Sequence, residues 1–400
     1  MKSFQFIKDL CSLAVVRSMV FLVLIAIGLA SCSSDPLAVA PAALPKIKTS
    51  LHIKRVWQTQ LTASTHFAGY RLEPWIANDQ ILISDIHGNI NMLDAASGHR
   101  LWHKKLPFFM GSGLTADQAH IYLSDRQAIL YAWSFKDNAI GESSAPAWKK
   151  SLSSEVIAPV AVSDDLIAVQ TVDGRVYGLD PETGEQLWVY VSELPNLTLR
   201  GTSQPQIVSG AVIVGFATGK LVVIDAKTGL PIWEKQLSLS AKGRSEFDQL
   251  SDIDGDFVIA NSILYVGNYQ GQIAALDLFS GQIIWSQEIS TYSNLFESSG
   301  QLYVCDSDGI ISALDEATGK LIWSQTGLHA RQLSAPAVMQ DYVVVGDAEG
   351  YLHVLSKVDG HFMGRILMDH QGIKIQPKLY QDKLIVVGQG GQLAAVSLQE

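Results

Sequence analysis

The sequence predicts an all-β fold, an eight-bladed β-propeller of four-stranded antiparallel blades, and three observations carry that prediction. A unit Gly-x-(apolar alternation)-Leu-Asp-x-x-x-Gly-x-x-x-Trp recurs along the chain. Eight positions mark its period. The two ends of the repeat region each lack a piece that the other supplies. Self-similarity of this kind is the signature of a propeller or solenoid.

The unit appears as Asp94/Gly98/Trp102, Asp180/Gly184/Trp188, Asp225/Gly229/Trp233, Asp277/Gly281/Trp285 and Asp315/Gly319/Trp323. A worn copy places Gly364 four residues after Gly360. Another runs Leu130-Tyr131-Ala132-Trp133 and reaches Trp148 through an insert at 135–147. The marking positions are Trp57, Trp102, Trp148, Trp188, Trp233, Trp285, Trp323 and Gly364, at steps between 38 and 52 residues. Each step holds four short alternating strands. Turn glycines supply the positive φ of tight hairpins. Pro159, Pro205, Pro336 and Pro377 stand at strand starts, where a missing N–H costs least. The last strand, Gly391–Val396, has no tryptophan strand after it. The first, Ile53–Trp57, has no unit before it. The N-terminal strand is therefore expected to become the outer strand of the last blade and to remove its free edge. Because Asp, Gly and Trp recur in every unit, they read as turn and packing residues rather than as an active site.

The N-terminus reads as an address. Lys2, Lys8 and Arg17 precede an uncharged apolar run at 19–30, which is short for a membrane span and suited to a signal peptide. It ends in Leu29-Ala30-Ser31-Cys32, which resembles a bacterial lipobox, with Cys32 as the lipidated residue. The similarity implies three acyl chains on the mature protein. Ser33, where an aspartate would signal inner-membrane retention, implies the outer membrane with the body facing the periplasm. The expected organisation is a signal peptide over 1–31, a lipidated cysteine and flexible tether over 32–50, and a propeller over 51–400.

Composition narrows the function. Apolar residues are 48% of the chain and charged residues 17%, enough for a large core and unlike a disordered chain. The net charge of −10 becomes about −12 once residues 1–31, which carry three bases and one acid, are removed. Such a body repels nucleic acid. Cys305 lies in an apolar strand and reads as a small buried hydrophobe. Asp252-Ile253-Asp254-Gly255-Asp256 resembles a calcium loop only superficially, since Phe257 and Ile263 stand where glycine and glutamate belong. No phosphate loop, nucleophile elbow or paired-histidine metal motif occurs, so no catalytic residue, metal or cofactor is expected. The repeat resembles that of pyrroloquinoline-quinone enzymes, in which tryptophans dock one blade on the next. The chain lacks the adjacent cysteine pair common in those enzymes.

Two connections interrupt the regular pattern, 193–201 and 240–254. Both follow a tryptophan strand, so they belong on one rim of neighbouring blades. Leu197, Leu199 and Arg200 in the first, with Asp252 and Asp254 in the second, compose an apolar pair flanked by charge. The residues leave two readings open: a docking patch, or leucines tucked into the rim with Arg200 paired internally to Asp252 or Asp254. Signal, lipobox, tether, repeats and the stretches LPNLTLRG and DQLSDID together resemble the BamB family of outer-membrane protein assembly factors. That resemblance implies a non-catalytic lipoprotein scaffold of the β-barrel assembly machinery. It implies that Leu197, Leu199, Arg200, Asp252 and Asp254 contact a periplasmic POTRA domain of BamA, alongside other subunits and unfolded barrel substrates. Gly255-Asp256 departs from the pattern and adds a negative charge beside the second motif. A different class remains, a periplasmic propeller lipoprotein that binds a small ligand or cell-wall glycan in its central channel.

Overall fold

The computed structural model describes residues 39–399 apart from 49, 68–69, 137–138, 141–144, 200 and 238–249. The body runs from Ala42 onward. Cys32 and the signal segment lie outside the described residues. The strands form eight blades: blade 1 over 75–105, blade 2 over 115–151, blade 3 over 161–191 and blade 4 over 206–236. Blade 5 covers 258–287, blade 6 covers 296–325 and blade 7 covers 337–367. Blade 8 joins three strands from 378–399 to His52–Gln60. In that last pairing His52 lies opposite Gln399 and Gln60 opposite Gln392, so the expected closure is present.

The alternation expected along every strand holds only on the outer ones. Gln186–Val191 buries Trp188 between exposed neighbours. The two middle strands of a blade bury consecutive residues instead. Ile81, Leu82 and Ile83 are all fully buried, as are Val212, Ile213 and Val214. The physical reason is that both faces of a blade pack against neighbouring blades, so only the outer strand meets water. The apolar clusters follow the blade interfaces: eight clusters occupy the eight junctions, including the one between blades 8 and 1.

Six of the blades couple a turn to a tryptophan of the preceding blade. Within blade 3, Asp180 Oδ1 accepts from the amides of Glu182 and Thr183 and from the Thr183 hydroxyl. Gly184, at φ +70°, closes the turn by donating to the Asp180 carbonyl at 2.9 Å. The ring of Trp148 lies on that glycine so closely that a Cβ would come within 2.5 Å of it. The Trp148 indole N–H donates to the carbonyl of Pro181 at 2.9 Å. The same bond runs from Trp57 to Ala95, Trp188 to Ala226, Trp233 to Leu278, Trp285 to Glu316 and Trp323 to Lys357. The recurring residues are thus structural, as their repetition implies.

The series ends at Gly364 for a reason visible in the closure. Blade 8 takes its outer strand from the N-terminal part of the chain, so it has no Asp–Gly turn for a tryptophan to meet. Residues 50–53 pass there instead: Leu51 N–H donates to the Met363 carbonyl at 3.2 Å, and a Cβ on Gly364 would press on the Leu51 carbonyl at 2.9 Å. Upstream, the chain does not float as the expected tether does. Ala42 N–H donates to His329 O at 2.9 Å, Arg331 Nη1 donates to Ala42 O at 2.9 Å, and Arg365 Nη1 donates to Pro45 O at 3.4 Å. Residues 42–48 and 50 are therefore a strap along the outer strand of blade 7, Phe362–Leu367, which has no exposed residue. At that edge the Met363 carbonyl accepts from the Ser50 and Leu51 N–H at 3.0 and 3.2 Å, and the chain lying there hinders pairing with another chain.

Candidate functional site

The two irregular connections meet on the rim, as their positions in the repeat require. The Leu199 amide donates to Asp252 Oδ2 at 2.7 Å. Asp252 is fully buried, and Leu199 is 39% exposed with Leu194 at 50%. Leu197 is partly buried. Asp254 lies against Gly201 so tightly that a Cβ there would come within 2.1 Å of the carboxyl carbon. Gly201 is thus the residue that lets the second connection pass beneath the first. Arg200 lies outside the described residues.

Burial corrects the role expected of the two aspartates. Asp252 carries no exposed surface and cannot touch a partner; it holds the backbone from which Leu199 projects. Burial pushes its carboxyl up to about 6, opposed by the Leu199 amide. Asp254 turns to a cavity at the propeller axis. Burial, with the negative charge of Asp252 added, pushes it up to about 8 against the opposing effect of Arg71. The added charge at Asp256 is likewise consumed inside the body rather than offered on the rim. Arg71 grips it with both terminal nitrogens, at 2.7 and 2.6 Å. The Gln204 amide and Asn294 Nδ2 also donate to it, at 2.9 and 3.0 Å.

This arrangement belongs to a network across the axis. Arg71 Nε donates to Glu73 Oε1 at 3.0 Å, and Lys378 Nζ stands 2.7 Å from Glu73 Oε2. Asn294 Nδ2 reaches Gln376 Oε1 at 3.1 Å, and Gln376 Nε2 reaches the Pro336 carbonyl at 2.6 Å. Burial alone would raise the Glu73 carboxyl, but the charges of Arg71 and Lys378 outweigh it and hold Glu73 well below the usual range. A bidentate guanidinium and shared carboxylates of this kind fix the inner strands of blades on opposite sides of the ring. Beside the network remains a cavity of about 340 Å³, lined by Arg71, Thr202, Asp254, Tyr292, Lys374 and Gln389 among others.

Sequence reasoning missed this network, yet a signal exists. Glu73, Gln204, Asp256, Asn294 and Gln376 each stand two residues before the innermost strand of their blade. A polar residue recurring at that one place marks the axis. Cys305 is buried as expected, 1% exposed, and burial raises its thiol far above reactivity at neutral pH.

Fold and site together define a propeller scaffold whose axis is tied shut by ion pairs and whose irregular features gather on one rim. Solved structures with this fold include a quinohemoprotein alcohol dehydrogenase from Comamonas testosteroni, 11% identical with a TM-score of 0.68, covering 86% of this chain and 76% of that one. That likeness is one of fold alone. Closer is the crystal structure of BamB from Moraxella catarrhalis, 25% identical with a TM-score of 0.78, covering 86% of this chain and 100% of the other. The family described as outer membrane protein assembly factor BamB matches residues 54–144, 87–325 and 307–400. Its member from Yersinia pestis is 31% identical over 92% of this chain and 95% of its own length. The Vibrio cholerae member is 32% identical over 94% and 98%. The chain belongs to the BamB family of outer membrane protein assembly factors.

Proposed function

We propose that the protein is a non-catalytic lipoprotein subunit of the outer-membrane β-barrel assembly machinery. It is anchored through Cys32, faces the periplasm and docks on a POTRA domain of BamA through the rim loop of blade 3. In this role it holds BamA, together with the other subunits, while unfolded barrel proteins are folded and inserted. Family membership supports the assembly role. The observation that carries the docking surface is the Leu199 amide bonded to the buried Asp252 carboxylate. That bond fixes an exposed leucine on a rigid base, which lowers the ordering cost of an interface. Leu197, Leu199 and Arg200 are the contacts in this reading, and Asp252 and Asp254 support them from below.

The test is co-purification with BamA from detergent-solubilised membranes, paired with a melting curve. Leu199→Ala combined with Arg200→Ala is expected to remove most BamA at an unchanged melting temperature, since central interface anchors are worth about 2 kcal/mol or more each. Wild-type BamA recovery by a well-folded double variant would overturn the surface. Cys32→Ala is expected to leave the protein out of the outer-membrane fraction. Normal acylation and fractionation of that variant would remove the anchor.

A further inference from the structure

Besides Glu73 Oε2, which faces Lys378, three buried polar atoms without a hydrogen-bond partner line the axial cavity: Thr202 Oγ1, Asp254 Oδ1 and Gln389 Nε2. A buried polar group left unmet costs about 1–3 kcal/mol, so polar cavities take water or a ligand that meets their groups. The charges say which kind of ligand. Around the axis, Glu73 and Asp256 are paired with Arg71, and Glu73 also with Lys378. Asp254 is left over, with the buried carboxylate of Asp252 behind it. Lys374 is exposed at the cavity lining and makes no ion pair among the described residues. Among the described residues no cation is paired with Asp254, since Arg71, which acts on it, is already held by Glu73 and Asp256. One carboxylate and one hydroxyl are too few oxygens for calcium, which takes six to eight. They suit the three donors of an ammonium group. Tyr292, Leu333, Ile375 and Val387 supply an apolar wall in the same cavity, and its volume of about 340 Å³ falls in the range of small-ligand sites.

We propose that the axial cavity binds a primary ammonium group on a short apolar stem. Asp254 and Thr202 accept its hydrogens, and Gln389 Nε2 donates to an acceptor beyond the stem. A free small amine and the lysine side chain of a protein docked on the rim both carry this chemistry. The proposal does not depend on the rim leucines.

The experiment uses the purified lipoprotein in detergent. Thermal denaturation is followed with n-butylammonium chloride, n-butanol, or sodium chloride at matched ionic strength. A saturable rise in melting temperature is expected with butylammonium only, because a ligand that binds the folded state alone stabilises it by mass action. Calorimetry at pH 7 should show a proton released on binding, since the ammonium replaces the proton that Asp254 otherwise holds. Asp254→Asn should abolish both signals while folding normally. Thr202→Val, which removes the second acceptor, should weaken them and carries the test if the first variant unfolds. An equal response to butanol, a full response in Asp254→Asn, or no response to butylammonium overturns the proposal. Repeating the titration with BamA bound separates the sources: a lost response assigns the cavity to a lysine of the docked partner, and a retained one to a free amine. Failure of the titration leaves the Leu199 docking surface standing.

Discussion

At the residue scale, Asp254 sets a pH dependence whose sign is fixed by its surroundings. Its carboxyl is raised from 3.8 to about 8 by burial and by Asp252, so the folded chain holds the proton more tightly than the unfolded one. The associated stability is full below about pH 4 and is lost as pH rises through 8. Asp252, raised to about 6, acts in the same direction over a narrower window. Asp254→Asn is therefore expected to melt higher than the wild type at pH 8.5 and to match it only near pH 3.5. The gain is of the order of 1–2 kcal/mol, a discounted value because the residue is partly exposed. Equal melting curves at both pH values would contradict the assignment. The sequence displayed these aspartates but not their direction. Which way a carboxylate points depends on Gly201 and Arg71, residues 53 and 183 positions from Asp254, and no local pattern records such meetings.

At the scale of the element, the turn-and-tryptophan unit was legible because it repeats, and its geometry follows from its residues. Trp285→Phe keeps the apolar packing but leaves the Glu316 carbonyl without its indole donor. A loss of about 1–3 kcal/mol is expected in denaturant titration. The strap over 42–48 and 50 was not legible. Its Ser, Ala and Pro residues carry no core-forming period, and its partners lie near 329–331 and 363–365. Arg331 is its clamp. It is 3% exposed, bonds the fully buried Asp347 at 2.7 Å and reaches Glu349 as well as Ala42 O. Arg331→Ala takes the guanidinium from the buried Asp347, leaving it His353 at 2.9 Å, and frees the strap. A loss of about 3–5 kcal/mol is expected, with faster proteolysis between 42 and 50. Unchanged cleavage in that segment would show that the strap is held elsewhere.

For the molecule as a whole, the count of blades and the closure were legible because each repeat announces itself and the ends complement one another. The axial network was not, because it joins single residues from six inter-blade connections. A deletion of 51–60 tests the closure. It removes Leu51 and Leu61's neighbour strand from the junctions on both sides of blade 8, where Leu51 and Trp57 pack, and bares the edge of Gln392–Gln399. Aggregation and a broad, lowered melting transition are expected. A sharp transition at the wild-type temperature would mean that blade 8 stands without its fourth strand.

The same closure dictates the order in which the body can be finished. His52–Gln60 leaves the ribosome before any blade exists, yet its pairing partner, Gln392–Gln399, is made only after the seven intervening blades. Contacts between segments so far apart in sequence form slowly, because the chain entropy is lost before the contact is gained. The first strand must therefore wait, unpaired, through the synthesis of seven other blades. A truncated product can never complete its ring. Since His52 lies directly opposite Gln399, a tight turn can join the two, with new termini opened between Gln60 and Leu61. In such a circular permutant blade 8 becomes one contiguous meander. It is expected to refold faster than the natural order of strands while unfolding at a similar rate, so the present arrangement trades speed of assembly for a ring that only a chain carrying Gln392–Gln399 can lock.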